Sequence, residues 1–158
     1  MDQCLGALGG GNTIFTTLDL RNSYHQVAME PKDIHKTAFI CHRGAFAYRT
    51  MPMGLVNSGA TFQRLMDMVM SGLIFETCLV YLDDIVIFSR TWEEHLPRLE
   101  AVLKRILDTG LKLKPSKCKL LQRKVIFLGH VITGDGVATD SAKTEEINRW
   151  PVPRSTKD

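Results

Sequence analysis

The feature that most constrains the fold is a pair of very apolar segments separated by two acidic residues. Residues 78–82 and 85–89 consist almost entirely of aliphatic, β-branched and aromatic residues, and Asp83 and Asp84 lie between them. Two short apolar runs joined by two residues are typical of a β-hairpin with a tight turn. The sequence therefore predicts a buried hairpin whose turn holds two adjacent carboxylates.

Other apolar runs predict further strands. Residues 14–20 are rich in β-branched and aromatic side chains, and a period of two puts Phe15, Thr17 and Asp19 on one face. A second hairpin is predicted from 36–41 and 45–49, with Gly44 in its turn. Additional short strands are expected at 111–113, 125–128 and 131–133.

Two segments have apolar residues at the i, i+3, i+4, i+7 spacing of a helix that buries one face. Asn57 or Ser58 can cap the first helix, and residues 91–94 have the pattern of a capping box for the second. Pro97 predicts a kink or a later start of the second helix, and Gly110 predicts its end. The predicted buried stripes are Phe62, Leu65, Met66, Val69 and Met70 in the first helix, and Leu96, Leu99, Leu103, Ile106 and Leu107 in the second.

The order of these elements predicts an α+β fold. With the 36–49 hairpin set aside, they run strand, helix, two strands, helix and strand, which is the ferredoxin-like or split βαβ arrangement. This is an antiparallel sheet with helices on one face, and its first and third strands are central neighbours. Asp19, at the end of the first strand, is then expected to meet Asp83 and Asp84 at one edge of the sheet.

Three carboxylates at one edge allow two interpretations. Asp is common in exposed turns, and Asp19 can cap a following helical turn. Carboxylates that converge repel each other unless a cation neutralises them, and Mg²⁺ prefers oxygen ligands. Two such ions about 3.5–4 Å apart can stabilise the attacking and leaving oxygens of a phosphoryl transfer. The second interpretation predicts polymerase or nucleotidyl-cyclase chemistry.

Charge and cysteine usage limit the remaining function classes. Residues 104–124 hold eight basic residues against one acid, Asp108, which indicates either a nucleic-acid-binding surface or a solvated basic face. The four cysteines are scattered, which favours reduced thiols. His35, Cys41 and His42 match no zinc-ligand spacing. No signal peptide or membrane-spanning run is evident, so we expect an intracellular protein without a membrane partner.

Five segments carry recognisable motifs, in order and across nearly the whole chain: 15–27, 51–63, 81–89, 110–118 and 127–131. They resemble the motifs of Gypsy-type LTR retrotransposon reverse transcriptases, with 127–131 as the primer grip, and 36–39 and 150–151 match in addition. The resemblance implies the palm of an RNA-directed DNA polymerase that adds dNTP to a primer 3′-OH on an RNA or DNA template, located in cytoplasmic element particles. The hairpin and the primer-grip segment argue against a nucleotidyl cyclase.

The resemblance also implies a role for individual residues. Asp19, Asp83 and Asp84 are the implied catalytic residues and ligands of two Mg²⁺ ions, with Mn²⁺ as an alternative. Tyr24 would block a ribose 2′-OH and Lys117 would lie near the pyrophosphate, whereas a core tyrosine and a surface lysine are the alternatives. The implied nucleotide-binding residues are Tyr24, Met53, Gly54, Phe62 and Lys117. The implied template–primer residues are Gln63, Tyr81, Leu128, Gly129 and His130. Phe62 and Gln63 suit ordinary helix positions equally well.

The chain departs from the family pattern in several places. Met53 and Gly59 stand where the family has Phe and Pro, and Pro97 interrupts a helix. We expect residues 1–149 to form a palm with a truncated fingers segment, and 150–158 to begin a flexible thumb or connection. In a full element, fingers, thumb and RNase H segments would be covalently joined to it. The alternative function is a decayed element copy that lacks polymerase activity and binds nucleic acid weakly.

Overall fold

A four-stranded antiparallel sheet forms the centre of the structure, a computed structural model that describes residues 2–139 together with residues 145 and 150. The predicted boundary at residue 149 and the predicted thumb segment lie outside the described residues, apart from Trp150. The helices are α1 (Asp2–Gly9), α2 (Ser58–Val69) and α3 (Trp92–Asp108), with 3₁₀ segments at Ser23–Gln26, Pro31–Thr37 and Pro115–Lys117. The strands are β1 (Ile14–Asp19), β2 (Phe39–Cys41), β3 (Gly44–Phe46), β4 (Cys78–Tyr81), β5 (Asp84–Ser89), β6 (Lys119–Gln122), β7 (Lys124–Phe127), β8 (His130–Thr133) and β9 (Gly136–Thr139).

The central sheet has the predicted split βαβ topology. Its strand order is β4-β5-β1-β6, and every neighbouring pair is antiparallel. Strands β1 and β5 are the central neighbours and pair from Ile14 opposite Ser89 to Asp19 opposite Asp84. The predicted α+β fold class is therefore confirmed, and so is the meeting of the first strand with the acidic hairpin.

The predicted fourth strand was wrong. Residues 111–113 contribute one isolated bridge, between Leu113 and Leu20, and the fourth strand of the sheet is β6. The backbone N–H of Lys114 donates to the Asp19 carbonyl at 2.8 Å, and that of Arg21 donates to the Lys112 carbonyl at 2.8 Å, so the chain runs antiparallel to the end of β1 there. Pro115 then opens a 3₁₀ segment, because its ring fixes φ and it has no N–H for a ladder. Pairing with β1 resumes only at β6.

Both faces of the central sheet are covered. On one face, Leu18, Ile85 and Ile87 pack against side chains of α2 and α3, as predicted. The other face packs on a second sheet, β7-β8-β9, with α1 beside it. Burial on both faces explains why β5 is apolar at every position from Ile85 to Phe88 rather than alternating. The second layer consists of Leu8, Val125, Phe127 and Ile132, which surround Phe15, Leu79, Val86 and Phe88.

The turn of the acidic hairpin lies one residue earlier than predicted. Leu82 and Asp83 form the turn, and Asp84 opens β5, where it pairs with Tyr81. Asp84 also pairs with Asp19 of β1, so ladders on both sides hold it in the extended conformation. In the second predicted hairpin, the turn residues are His42 and Arg43, and the strands on either side are shorter than predicted.

The predicted stripe of α2 is confirmed, but its predicted cap is not. Phe62, Met66, Val69 and Met70 are buried, and Leu65 packs beside them. Asn57 occupies the N-cap position without a side-chain hydrogen bond, and the Ser58 hydroxyl donates to the Pro52 carbonyl instead. That bond joins the start of α2 to the preceding loop.

The predicted buried stripe of α3 was partly wrong. The helix buries His95, Val102 and Ile106, whereas Leu96 is 57% exposed and Leu107 is 77% exposed. A polar residue therefore sets the face that meets the sheet, which counting apolar residues does not detect. Pro97 neither delays the start of the helix nor ends it, and Gly110, with a φ of 73°, follows its C-cap as predicted.

A buried chain of hydrogen bonds attaches α3 to three strands. The Ser89 hydroxyl donates to the Thr91 carbonyl, so Ser89 Oγ accepts from His95 Nδ1 at 2.8 Å. His95 Nε2 is then the acceptor for the Thr16 hydroxyl, also at 2.8 Å. Thr16 Oγ1 accepts in turn from the Leu121 N–H in β6. Leu121 has a φ of 56° at the point where the register of β6 shifts against β1. The Thr16 side chain therefore satisfies the Leu121 N–H, which the ladder leaves unpaired.

Replacing the cap of α3 is expected to destabilise the protein modestly. Thr91 Oγ1 accepts from the Glu94 N–H at 3.3 Å, and Glu94 Oε2 accepts from the Arg90 N–H at 3.2 Å. Thr91→Ala should lower the free energy of unfolding by about 1 kcal/mol, because a helix N–H loses its acceptor. Urea denaturation measures this difference. Thr91→Ser is the control and should unfold at nearly the wild-type concentration, since it keeps the hydroxyl.

None of the helices in the described residues combines the length and apolar character needed to cross a membrane.

Candidate active site

The pairing of β1 with β5 brings the predicted carboxylates together. Asp19 lies directly opposite Asp84, and Asp83 occupies the adjoining turn. Burial raises the pKa of the Asp84 carboxyl, and the negative charges of Asp83 and Asp19 raise it further, while Lys117 opposes them. The Asp84 carboxyl is therefore partly buried and close enough to Asp83 and Asp19 for their charges to act on it, unlike a carboxyl in a fully solvated turn.

Lys117 lies against this group rather than free on the surface. Its Nζ is 3.1 Å from Asp19 Oδ2, although the lysine side chain is 57% exposed. The 3₁₀ segment after Pro115 positions it, because the Lys117 N–H donates to the Lys114 carbonyl within that turn. The positive charge of Lys117 therefore lies where a cation would neutralise the carboxylates.

A cleft of about 170 Å³ opens beside Asp19 and Asp84. Lys119 contributes a second basic side chain to it, opposite Thr17 in the β1–β6 register. Sequence reasoning did not single out Lys119 or Ile126, and only the correct position of the fourth strand could have indicated them. The lining residues are Thr17, Leu18, Asp19, Asp84, Ile85, Lys117, Lys119, Ile126 and Phe127.

Asp83 has a partner that the sequence did not reveal. The buried Ser23 hydroxyl donates to Asp83 Oδ2 at 3.4 Å. Asn22 precedes it with a φ of 47°, a left-handed conformation that Asn tolerates, and this turns the chain from β1 into the 3₁₀ segment. The small polar residues after the first strand were the available signal for this contact.

The carboxylates suit a divalent cation by chemistry. Within residues 2–139, 145 and 150, however, no three His, Cys, Asp or Glu side chains are already arranged to hold a metal ion. The side chain of Asp19 is paired with Lys117, and that of Asp83 with Ser23. The oxygen donors and their mutual repulsion nevertheless fit Mg²⁺ or Mn²⁺, since such an ion would relieve the raised pKa of Asp84.

Tyr24 and Phe62 form one unit behind the acidic turn. Their rings meet edge to face, with centroids 5.4 Å apart. Phe62 is fully buried in the core, whereas Tyr24 is half-buried. A side chain at Gly59 would meet the Tyr24 hydroxyl and Leu82 at 3.9 Å, so the start of α2 also approaches this unit. A core position for Phe62 is thus compatible with its implied place behind a nucleotide.

Gln63 connects α2 to the acidic turn. Its Oε1 accepts from the Leu82 N–H at 2.8 Å, and its Nε2 donates to Asp67 at 2.8 Å. This satisfies the turn N–H at a residue whose φ of 54° is unfavourable for leucine. Gln63 is therefore not an ordinary helix-surface residue. Tyr81 precedes the turn and is 48% exposed.

The remaining implied residues lie in two turns. Met53 is 70% exposed, and Gly54 has a φ of 90° in the loop before α2, a conformation that favours glycine. Neither lines the carboxylate cleft. Leu128 and Gly129 form the β7–β8 turn, and His130 Nδ1 lies 3.2 Å from the Leu128 carbonyl. Phe127, which precedes this turn, lines the cleft and so places the implied primer grip next to it.

All eight basic residues of the 104–124 stretch are exposed. Lys117 and Lys119 border the carboxylate cleft. The others lie along α3 and the segments that follow it. A negatively charged backbone that reached the cleft would therefore meet positive charge beside the carboxylates.

Known proteins are similar to this chain in both sequence and fold. A family model described as reverse transcriptase (RNA-dependent DNA polymerase) matches residues 3–132. The Pol polyprotein of transposon 297 from Drosophila melanogaster is 42% identical over 158 residues, which are 100% of this chain and 15% of that protein. The Pol polyprotein of the transposon gypsy, from the same species, is 34% identical over 144 residues, 91% of this chain and 14% of that protein.

The similarity extends to solved structures. The foamy viral protease-reverse transcriptase in complex with dsDNA has a TM-score of 0.84 at 30% identity, over 97% of this chain and 32% of that one. Its complex with an RNA/DNA hybrid gives the same score and identity, over 97% and 21%. The chain thus spans only a small part of its relatives, and the resemblance to Gypsy-type elements is confirmed. It belongs to the reverse transcriptase (RNA-dependent DNA polymerase) family.

Proposed function

We propose that this chain is the catalytic palm of an RNA-directed DNA polymerase, which joins a dNTP to a primer 3′-OH on an RNA or DNA template. The observation that carries the proposal is the register that sets Asp19 opposite Asp84, with Asp83 in the adjoining turn. Three carboxylates placed by two central strands, beside a basic cleft, suit the transfer of a nucleotide to a hydroxyl.

Asp19, Asp83 and Asp84 would hold two divalent ions, Mg²⁺ or Mn²⁺. Bound there, such ions supply the charge that stabilises the attacking and leaving oxygens during phosphoryl transfer. The rigid sheet keeps the three carboxylates adjacent. The Ser23 hydroxyl and Gln63 side chain restrain the turn that carries Asp83. Positioning of this kind accounts for a large part of the rate in reactions between bound partners.

Lys117 would exchange partners when substrate binds. In the structure its ammonium neutralises Asp19. Once a divalent cation neutralises Asp19, the ammonium is available to a phosphate of the nucleotide on the same side of the cleft. Lys119 provides further positive charge there. Tyr24, backed by Phe62, would limit the space beside the sugar and so favour dNTP over NTP.

Primer extension tests this function. The chain is assayed alone and in place of its counterpart in the polyprotein of transposon 297, with a labelled primer on RNA and on DNA templates. We expect extension in the second form with either template, and none in the matching Asp83→Asn protein. Failure of both forms, with the protein folded, would contradict the proposal and favour the decayed-copy alternative.

Binding of duplex DNA should weaken as salt rises. Each lysine or arginine that neutralises a phosphate releases counterions, so the logarithm of the association constant should fall linearly with the logarithm of salt concentration, at about −0.9 per neutralised phosphate. Fluorescence anisotropy at several salt concentrations measures the slope. Replacing Lys112, Lys114 and Lys124 with glutamine should make it shallower by about one unit for each phosphate that is no longer neutralised. An unchanged slope would identify the stretch as a solvated face.

A further inference from the structure

Four aromatic rings form a continuous row on the surface outside the carboxylate cleft. The rings of His25 and Tyr48 are stacked with centroids 6.0 Å apart, Tyr48 lies 5.5 Å from Phe39, and Phe39 is stacked on Phe46 at 6.0 Å. We call these four residues the aromatic row. Phe39, Phe46 and Tyr48 are 45%, 47% and 39% exposed, so large parts of the rings face solvent.

The β2–β3 hairpin carries most of the aromatic row, and nothing in the described part of the chain covers it. All residues of both strands are exposed. Phe39 pairs with Phe46 and Ile40 with Ala45, so the two phenylalanines share one face and Ile40 lies on the other. Tyr48 follows Phe46 by two residues and so continues the same face of the hairpin. One face therefore presents rings instead of branched aliphatic side chains.

The hairpin that carries most of the aromatic row holds basic residues and no acidic ones. No acidic residue occurs between Asp33 and Asp67. Within this interval, Arg43 lies in the hairpin turn, Arg49 follows Tyr48, and Lys36, which pairs with Asp33, precedes β2. An exposed aromatic face on a hairpin with basic and no acidic side chains is complementary to a ligand that combines flat apolar surfaces with negative charge.

One end of the aromatic row is tied to the acidic turn through a short segment of chain. His25 lies in the same 3₁₀ segment as Tyr24 and Ser23. Ser23 donates to Asp83, and Tyr24 packs on Phe62. At the hairpin, the Tyr48 N–H donates to the Thr37 hydroxyl at 2.8 Å, which fixes the base of β3. The aromatic row thus begins two residues from a side chain that contacts the acidic turn.

We propose that the aromatic row binds unpaired bases of single-stranded nucleic acid by stacking, while Arg43 and Arg49 contact its phosphates. Every base offers a flat π-face, so such binding tolerates any sequence. A purely apolar protein segment is the less suitable occupant, because it would leave the basic charge of Arg43 and Arg49 unused. The biological use of the site rests on the proposed function, since a template must be held where it is unpaired.

Single-strand binding without catalysis tests the proposal. A labelled oligothymidylate is titrated into the chain in EDTA, and fluorescence anisotropy gives the dissociation constant. Tyr48→Leu and Phe39→Leu should each weaken binding at least about fivefold, because a stacked base loses its platform. Tyr48→Phe should bind as tightly as the wild type, since it keeps the ring. Phe75→Leu, at a phenylalanine that is 51% exposed elsewhere, is the matched control and should change nothing.

Two further results decide the proposal. Binding of blunt duplex DNA should be the same in Tyr48→Leu and wild type, because paired bases cannot stack on the aromatic row. Unchanged single-strand affinity in both leucine variants would overturn the proposal and indicate that an apolar protein segment covers this face. A chain that fails to extend primers, but loses single-strand affinity in both leucine variants, would contradict only the proposed polymerase function.

Discussion

Asp19→Asn and Asp83→Asn are each expected to reduce primer extension at least about a thousandfold, a loss of about 4 kcal/mol in transition-state stabilisation. Asparagine keeps the size of aspartate and removes one negative charge. Asp19 ends β1 and Asp83 lies in the turn before β5, so neither can replace the other. Rates are measured with saturating template–primer, in the protein that carries this chain in place of its transposon 297 counterpart.

The stability of the same variants separates a catalytic role from a structural one. Removing one of three repelling carboxylates should leave the free energy of unfolding unchanged or raise it slightly. Asp108→Asn makes the same chemical change at an exposed position at the end of α3, and should extend primers at the wild-type rate. Equal primer-extension rates for Asp83→Asn and Asp108→Asn would show that the acidic hairpin has no role in the mechanism.

The acidic hairpin and the sheet topology were predictable because their signals are local. Two apolar runs with two residues between them leave few alternatives to a hairpin, and the order of strands and helices then puts β1 beside β5. The resemblance added roles that the residues alone leave open, such as those of Tyr24 and Lys117. The contact between Asp19 and Asp84 followed from topology before any distance was known.

The errors arose where contacts distant in the sequence decide the local structure. Asp84 belongs to the strand rather than the turn because β1 pairs with it. The fourth strand starts at Lys119 because the chain makes only one isolated bridge beyond the end of β1 and then turns at Pro115. No propensity within 111–122 contains this information. Lys119 and Ser23 were missed for the same reason, since each acquires its place only through a partner strand or turn.

The face of α3 could not be predicted by counting leucines. Leu96 and Leu107 fit a helical stripe as well as Val102 and Ile106 do, and the sheet selects between them. His95, fully buried, is held by hydroxyls from β1 and β5. A polar side chain is tolerated there because each of its nitrogens has a partner. The sequence signal for this buried histidine is Thr16 and Ser89, which are hydroxyl residues within otherwise apolar strands.

His95→Leu is expected to lower the free energy of unfolding by roughly 2–4 kcal/mol, because the buried Thr16 hydroxyl loses its acceptor and the buried Ser89 oxygen loses a donor. Thr16→Val should have an effect of similar origin, since it leaves the Leu121 N–H and His95 Nε2 without a partner. The double variant should lose less than the sum of the single variants, because both break one connected chain of bonds. Urea denaturation of the four proteins gives this cycle, and strict additivity would show that the bonds act independently.

The same histidine should make stability depend on pH in one direction. Burial, aided by the charge of Arg98, lowers the pKa of His95 below its usual value of 6.5. Below pH 6.5 the unfolded chain binds a proton at His95 more readily than the folded protein does. The contribution of neutral His95 to the free energy of unfolding is therefore fully present above pH 6.5 and declines as the pH falls. His95→Leu cannot bind that proton. The difference in unfolding free energy between wild type and His95→Leu should therefore narrow as the pH falls from 7.5 to 5. A difference that stays constant would mean that the pKa of His95 is the same in the folded and the unfolded protein.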